Sequence, residues 1–154
     1  MHRSLAVVDD TEVHRELLAE AARLSRGSDG ELVLFTTMTA DEFESDTEKL
    51  ESIERAEGTT FSGASALDGA RKVAREVAEE VFADLEWDVE YQVVAKVVED
   101  GDRADAIVDA ASEHDCQHVF VVGRKRSPTG KVLFGDTAQQ VILNFDGMVT
   151  ITTE

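Results

Sequence analysis

Between Gly123 and Thr137 the chain reads Gly-Arg-Lys-Arg-Ser-Pro-Thr-Gly-Lys-Val-Leu-Phe-Gly-Asp-Thr, which holds four of its fifteen lysines and arginines but one of its thirty-three carboxylates. Arg124, Lys125, Arg126 and Lys131 are interleaved with Gly123, Gly130 and Gly135, directly after the apolar run Val119 to Val122. Glycine lets the backbone approach a ligand closely, and the free amides of a helix's first turn carry partial positive charge. Cations beside such amides suit an anion, above all a phosphate. A plain surface turn is the competing reading, since Ser-Pro and Thr-Gly are ordinary turn pairs. The register favours binding: Gly123 ends an apolar run, Gly135 precedes helical spacing, and the cations lie between them.

Other chemistry is poorly supported. Gly130-Lys131 invites comparison with the P-loop, but Gly123 stands seven residues before Gly130 rather than five, and Val132 occupies the place of the required Ser or Thr. His114, Cys116 and His118 alternate and could meet one metal in an extended segment; with no fourth ligand pattern nearby, structural roles are the stronger reading. Ser127 has no His base near it in sequence, and no Ser/His/Asp order can be assigned.

The elements that must position the loop follow from hydrophobic periodicity. Leu5 to Val8 is a short continuous apolar run stopped by Asp9-Asp10-Thr11, as expected for a strand buried on both faces. Thr11 is placed to cap a helix in which Val13, Leu17, Leu18, Ala21 and Leu24 recur at helical spacing, with Gly27 and Gly30 as the stop. A second strand is expected over Leu32 to Thr37. Residues 39–62 look different: Asp41 to Glu57 is strongly acidic with sparse apolar positions at Phe43, Leu50 and Ile53, which predicts a mobile or loosely helical excursion. Leu67, Ala70, Val73, Ala74, Val77, Val81, Phe82 and Leu85 describe a long amphipathic helix ending near Trp87. Val89 to Val94 predicts a third strand, and Asp102 an N-cap for a helix burying Ala106, Ile107, Ala110 and Ala111. Val119 to Val122 is the fourth strand, Asp136 or Thr137 opens the last helix through Val141 and Leu143, and Met148 to Thr152 is the fifth strand.

Such alternation predicts an α/β domain, a parallel sheet with helices on both faces, because right-handed crossovers are nearly obligatory. The ligand crevice of a doubly wound sheet lies at the carboxyl ends of the strands, where the winding reverses. Asp9 and the Gly123 loop become neighbours if strands one and four are adjacent.

Composition narrows the setting. A chain of 154 residues is large enough for one domain that buries roughly two-thirds of its unfolded surface. One cysteine precludes an internal disulfide, and no apolar stretch is long enough to span a bilayer, so a cytoplasmic protein is expected. The formal net charge of -18 argues against nucleic acid or an anionic membrane as partner. It also predicts self-repulsion at low ionic strength, which a Debye length of about 3 Å in molar salt would silence. The composition therefore reads as halophilic, an adaptation to a salty cytoplasm.

Taken together, these residues resemble the universal stress proteins, whose ATP-binding members carry Gly-x2-Gly-x9-Gly-(Ser/Thr) after the fourth strand. The resemblance covers nearly the whole chain: Val7-Val8-Asp9 at the first strand end, Gly101-Asp102 before a helix, Asp115-Cys116-Gln117-His118-Val119 leading into Val122-Gly123, and the final Met148-Val149-Thr150-Ile151. It implies one domain over residues 1–154, Rossmann-like and doubly wound, with five parallel strands in the order 3-2-1-4-5. It further implies ATP or another adenine nucleotide as ligand, with Mg²⁺ as a candidate companion, and a stress-response regulator or nucleotide sensor as the role.

Carried over position by position, Gly123 matches the first glycine of that motif, Arg126 stands where the second would be, and Gly135 matches the third with the loop one residue shorter. Asp136 occupies the Ser/Thr place; a carboxylate there repels phosphate unless it caps the helix or helps hold a divalent ion, leaving Thr137 to supply a hydroxyl. The implied phosphate site runs from Val122 and Gly123 through Arg124, Arg126, Ser127, Gly130 and Lys131 to Gly135. Asp9 would hold the nucleoside end, and Thr37, at the end of the second strand, would contact adenine. At most slow ATP hydrolysis is implied, since no general base is evident. A homodimer through the terminal strand, with Met148, Val149 and Ile151 on its edge, is implied as well. The rival within the same family is a dimeric interaction protein that needs no nucleotide, suggested by Arg126 and Asp136. Val7-Val8-Asp9-Asp10 also resembles the start of a response-regulator receiver domain. That reading lacks an acceptor Asp near residues 50–60, where Leu50 to Gly58 is an acidic helix or loop, and it lacks a late Lys-Pro.

Overall fold

Apolar runs with no alternating polar residues have to be covered on both faces. In the computed structural model, which describes residues 3–26, 31–57, 65–99, 101–124 and 135–154, they are. The elements are β1 (Ser4–Val7), α1 (Glu12–Ser25), β2 (Leu32–Thr39), α2 (Ala40–Glu57), α3 (Ser65–Ala83), β3 (Tyr91–Val98), α4 (Arg103–Glu113), β4 (His118–Gly123), α5 (Asp136–Asn144) and β5 (Met148–Thr153). All five strands are parallel, in the order β3-β2-β1-β4-β5.

Because side chains along a strand alternate between faces, each central strand feeds two cores. Leu5, Val7, Val33, Phe35, Val119 and Val121 pack with Ile107, Ala110 and Ala111 of α4 and Ala138 and Val141 of α5. Ala6, Leu32, Leu34 and Phe120 pack on the other face with Leu17, Leu18 and Ala21 of α1 and Ala74, Val77 and Ala78 of α3. Phe35 and Phe120 are fully buried on opposite faces, and truncating either to alanine would cost about 3–5 kcal/mol. The helices that follow β1 and β4 therefore lie on opposite faces while their strands are neighbours. That arrangement opens a crevice above the carboxyl ends of β1 and β4.

Thr11 is the N-cap of α1, its Oγ1 accepting the His14 amide at 3.1 Å, and Asp102 is the N-cap of α4. α1 ends at Ser25, with Arg26 closing it; the expected stop at Gly27 and Gly30 falls outside the described residues. Of the two expectations for the acidic stretch, a mobile excursion or a loose helix, the helical one holds, as residues 40–57 form an eighteen-residue helix. Its start is locally specified: Thr39 Oγ1 accepts the Glu42 amide at 3.1 Å, and the same hydroxyl donates to the Glu42 carboxylate at 3.2 Å. This is a Thr-x-x-Glu capping arrangement, reinforced by Asp41 and Glu42 at the positive end of the helix dipole. Phe43, Asp46, Thr47 and Leu50 form the partly buried face at i, i+3, i+4 and i+7.

Two boundaries also move. α3 ends at Ala83 rather than near Trp87, whose ring instead receives the Arg26 guanidinium 4.3 Å from its centroid. β3 begins at Tyr91 and runs to Val98, beyond the expected Val94, because it pairs with β2 along the whole length from Leu32 to Thr39.

Candidate functional site

β1 and β4 end side by side, and the segments leaving the two strands form the two walls of the crevice. After β1 the ladder continues one residue further, Val8 donating its amide to Phe35 O at 2.9 Å; Asp9 then turns the chain, its Oδ1 accepting the Asp10 amide at 2.8 Å. Thr11 starts α1 and brings His14 to the same opening. After β4, Arg124 leaves Gly123 on the opposite wall, and the chain re-enters as Gly135 at the N-cap of α5.

Gly135 has φ 84° and ψ 158°, a region that side-chain-bearing residues hardly enter. A Cβ placed there would lie 3.7 Å from the Arg124 amide nitrogen and 3.8 Å from the Arg124 Cβ, so the two ends of the basic loop lie close together. The resulting cleft has a volume of about 370 Å³, with Val7, Ile107, Val121 and Ala138 apolar and Asp9, His14, Arg103, Arg124, Asp136, Thr137 and Glu154 polar around it.

Six of the residues expected at the site therefore meet in this cleft: Asp9, Val122, Arg124, Gly135, Asp136 and Thr137. Gly123 ends β4 beside them and accepts the Glu154 amide at 3.1 Å. Arg126, Ser127, Gly130 and Lys131 lie outside the described residues. Thr37 does not line the Asp9 cleft. β2 continues past it to Thr39, and Thr37 faces a second cavity of about 330 Å³ between the ends of β2, β3 and α4. Arg103, Asp136 and Thr137 border both cavities. Asp136 does not cap α5 either: the positive-φ turn at Gly135 takes the cap position, and Asp136 becomes the first helical residue. Its carboxylate complements the helix dipole there but competes with any incoming anion.

Thr11, His14, Arg103 and Glu154 are the polar residues of the cleft that the sequence did not place at the site. His14 is held by Thr11, whose Oγ1 is 2.7 Å from Nδ1. Burial lowers the His14 pKa below its ordinary 6.5 and Arg103 pushes the same way, against the opposing pull of Asp9 and Glu154. The imidazole is thus biased toward its neutral form, with Nδ1 and the Thr11 hydroxyl sharing a hydrogen bond. A usable signal was present, since the third residue after an N-cap shares the helix mouth with the cap. Arg103 opens α4 directly after Gly101-Asp102, at the carboxyl edge where α/β sites form.

A model of the universal stress protein family matches residues 1–153. The chain belongs to the universal stress protein family. Solved structures agree at the level of fold. Hypothetical protein MJ0577 superposes with a TM-score of 0.66 at 14% identity, over 99% of this chain and 96% of that one. A universal stress protein in complex with cAMP gives 0.57 at 14% identity, over 99% and 96%. The universal stress protein from Archaeoglobus fulgidus in complex with dAMP gives 0.55 at 20% identity, over 98% and 96%. No curated protein matches the sequence.

Within this universal stress protein the alternating His and Cys residues have structural partners. His118 is buried, stacks on Phe120 with centroids 4.2 Å apart, and shares a 2.7 Å hydrogen bond with Thr150 Oγ1. His114 caps α4, and burial pushes the Cys116 thiol up to about 11, which leaves it protonated and unreactive near neutrality. Among the described residues no group of three or more His, Cys, Asp or Glu side chains converges as a metal site would require, and none of the described helices is long and apolar enough to cross a membrane.

Proposed function

We propose that this universal stress protein binds an adenine nucleotide in the crevice at the carboxyl ends of β1 and β4 and acts as a stress-response regulator or nucleotide sensor. The observation that carries this reading is the approach of Gly135 to Arg124 at the two ends of the basic loop, which together with Asp9 line a cleft of about 370 Å³. Asp9 accepts hydrogen bonds from the nucleoside end. Arg124, the Thr137 hydroxyl and the first-turn amides of α5, joined by Arg126, Ser127, Gly130 and Lys131, receive the phosphates. The relatives crystallised with cAMP and dAMP support an adenine nucleotide as the ligand class. Binding is the main act, and Mg²⁺ would accompany a triphosphate only as the ligand's own counterion. The acidic composition further supports a halophilic, cytoplasmic setting.

The test is what the purified protein carries. Denaturation should release a nucleotide absorbing near ~260 nm, since a tight ligand of the native state is lost with the fold. Protein that is free of nucleotide and fails to take up ATP, ADP or AMP would remove this reading.

A second reading, a dimer that works through partners without nucleotide, is favoured by the exposed apolar edge of the sheet. Met148, which opens the edge strand β5, is 54% exposed, and Leu143 near the end of the adjoining α5 is 74% exposed, an apolar pair that a second copy could cover. The β5 edge would pair with its twin across a two-fold axis. Light scattering at micromolar concentration should give twice the chain mass, and L143E with M148K should give the monomer; a monomeric wild type overturns it.

A further inference from the structure

We propose that Arg103 is a binding residue for a phosphorylated ligand and that Thr37 acts on the ligand only by positioning it; this rests on the nucleotide reading above. Arg103 stands where the two cavities meet and borders both. Its Nε donates to Thr37 Oγ1 at 2.9 Å, a bond between residues sixty-six positions apart in sequence.

The partner's chemistry is the informative point. The chain has thirty-three carboxylates for fifteen lysines and arginines, and four of its described cations pair with them. Arg15 pairs with Asp10 and Glu80, Arg23 with Glu20, Arg71 with Asp68, and Lys96 with Glu113. Among the described residues Arg103 has no carboxylate within ion-pair distance, although Glu42, Glu99 and Asp136 border the same cavity, and its one hydrogen bond goes to a neutral hydroxyl. A hydroxyl fixes the plane of the guanidinium without neutralising it. The four terminal N–H donors remain in a rigid fork that matches two phosphate oxygens. A lysine ammonium could reach both Thr37 and the ligand with its three donors, but it is a point charge on a flexible stem and offers no planar fork to two phosphate oxygens.

The assignment separates the two expected roles at this end of the crevice. Thr37 does not read the base directly, and the second cavity becomes an anion subsite continuous with the first through Arg103.

The experiment is calorimetric titration of AMP, adenosine and inorganic pyrophosphate into wild type, R103L, R103K, T37V and the R103L/T37V double variant, each confirmed folded by its melting transition. R103L should weaken AMP by roughly tenfold or more, the scale of a charge-assisted hydrogen bond, and leave adenosine within about twofold. R103K should recover only part of the loss. T37V should weaken AMP less than R103L, and the double variant should be no worse than R103L, since a positioning residue has no effect once the group it positions is gone. R103L with wild-type AMP and adenosine affinities, or additive losses in the double variant, would overturn the proposal. If wild type binds neither AMP nor adenosine, the nucleotide reading fails and pyrophosphate alone decides: binding lost in R103L supports the anion subsite, and binding that is absent or indifferent to R103L refutes it.

Discussion

The Thr11 hydroxyl makes two hydrogen bonds to one residue, accepting the His14 amide at 3.1 Å and meeting His14 Nδ1 at 2.7 Å. The first bond caps α1 and the second orients an imidazole at the cleft mouth. Helix start and site geometry therefore share one side chain. T11A should cost about 1 kcal/mol from loss of the cap, within a range of about 0.5–2. T11S, which keeps the hydroxyl, should retain most of it. Urea unfolding of the three proteins measures both.

The lowered pKa of His14 has a defined sign in stability. Above its ordinary value near 6.5 the imidazole is neutral in both folded and unfolded chains and contributes no pH dependence. As pH falls below 6.5 the unfolded chain binds the proton first, so stability is lost progressively toward the lower folded-state pKa. Wild type should therefore lose more stability than H14N between about pH 7.5 and 5.5, read from urea midpoints. Equal losses would mean that burial does not hold His14 neutral.

Gly135 separates backbone strain from steric clash. An alanine Cβ there meets nothing closer than 3.7 Å, so G135A has room. Its φ of 84° with ψ of 158° nevertheless costs a side-chain-bearing residue about 1–3 kcal/mol. G135A should be destabilised by that amount and should shift the first turn of α5, weakening anion binding beyond its effect on the fold. Thermal melts with and without nucleotide distinguish the two losses.

Much of the fold was legible because the central strands are continuous apolar runs that admit one burial pattern. Leu5 to Val8 and Val119 to Val122 each mark the right strand within a residue at either end. The acidic helix was hardly legible from apolar periodicity, because its apolar positions Phe43, Leu50 and Ile53 are sparse in the sequence; the Thr39 and Glu42 cap was the local signal. The cleft was half legible. Asp9, Arg124 and Thr137 follow from strand ends and loop composition. Arg103 and His14 come from helices whose inward positions are set by tertiary packing, and Thr37 lies beside the second cavity because β2 runs two residues past it.

The charge balance makes salt a stability variable. With a formal net charge of -18, circular dichroism should show a cooperative transition that moves to higher temperature from low to molar KCl. An unchanged transition would remove salt adaptation as the reason for the composition.

Calorimetric titration of MgATP and AMP in molar KCl is the most direct test of the site at the β1 and β4 ends. Saturable binding of one nucleotide per chain is predicted, weakened by roughly tenfold or more both in D9A and in the charge-reversed R126E/K131E variant. No saturable heat, or binding that neither variant changes, would contradict it.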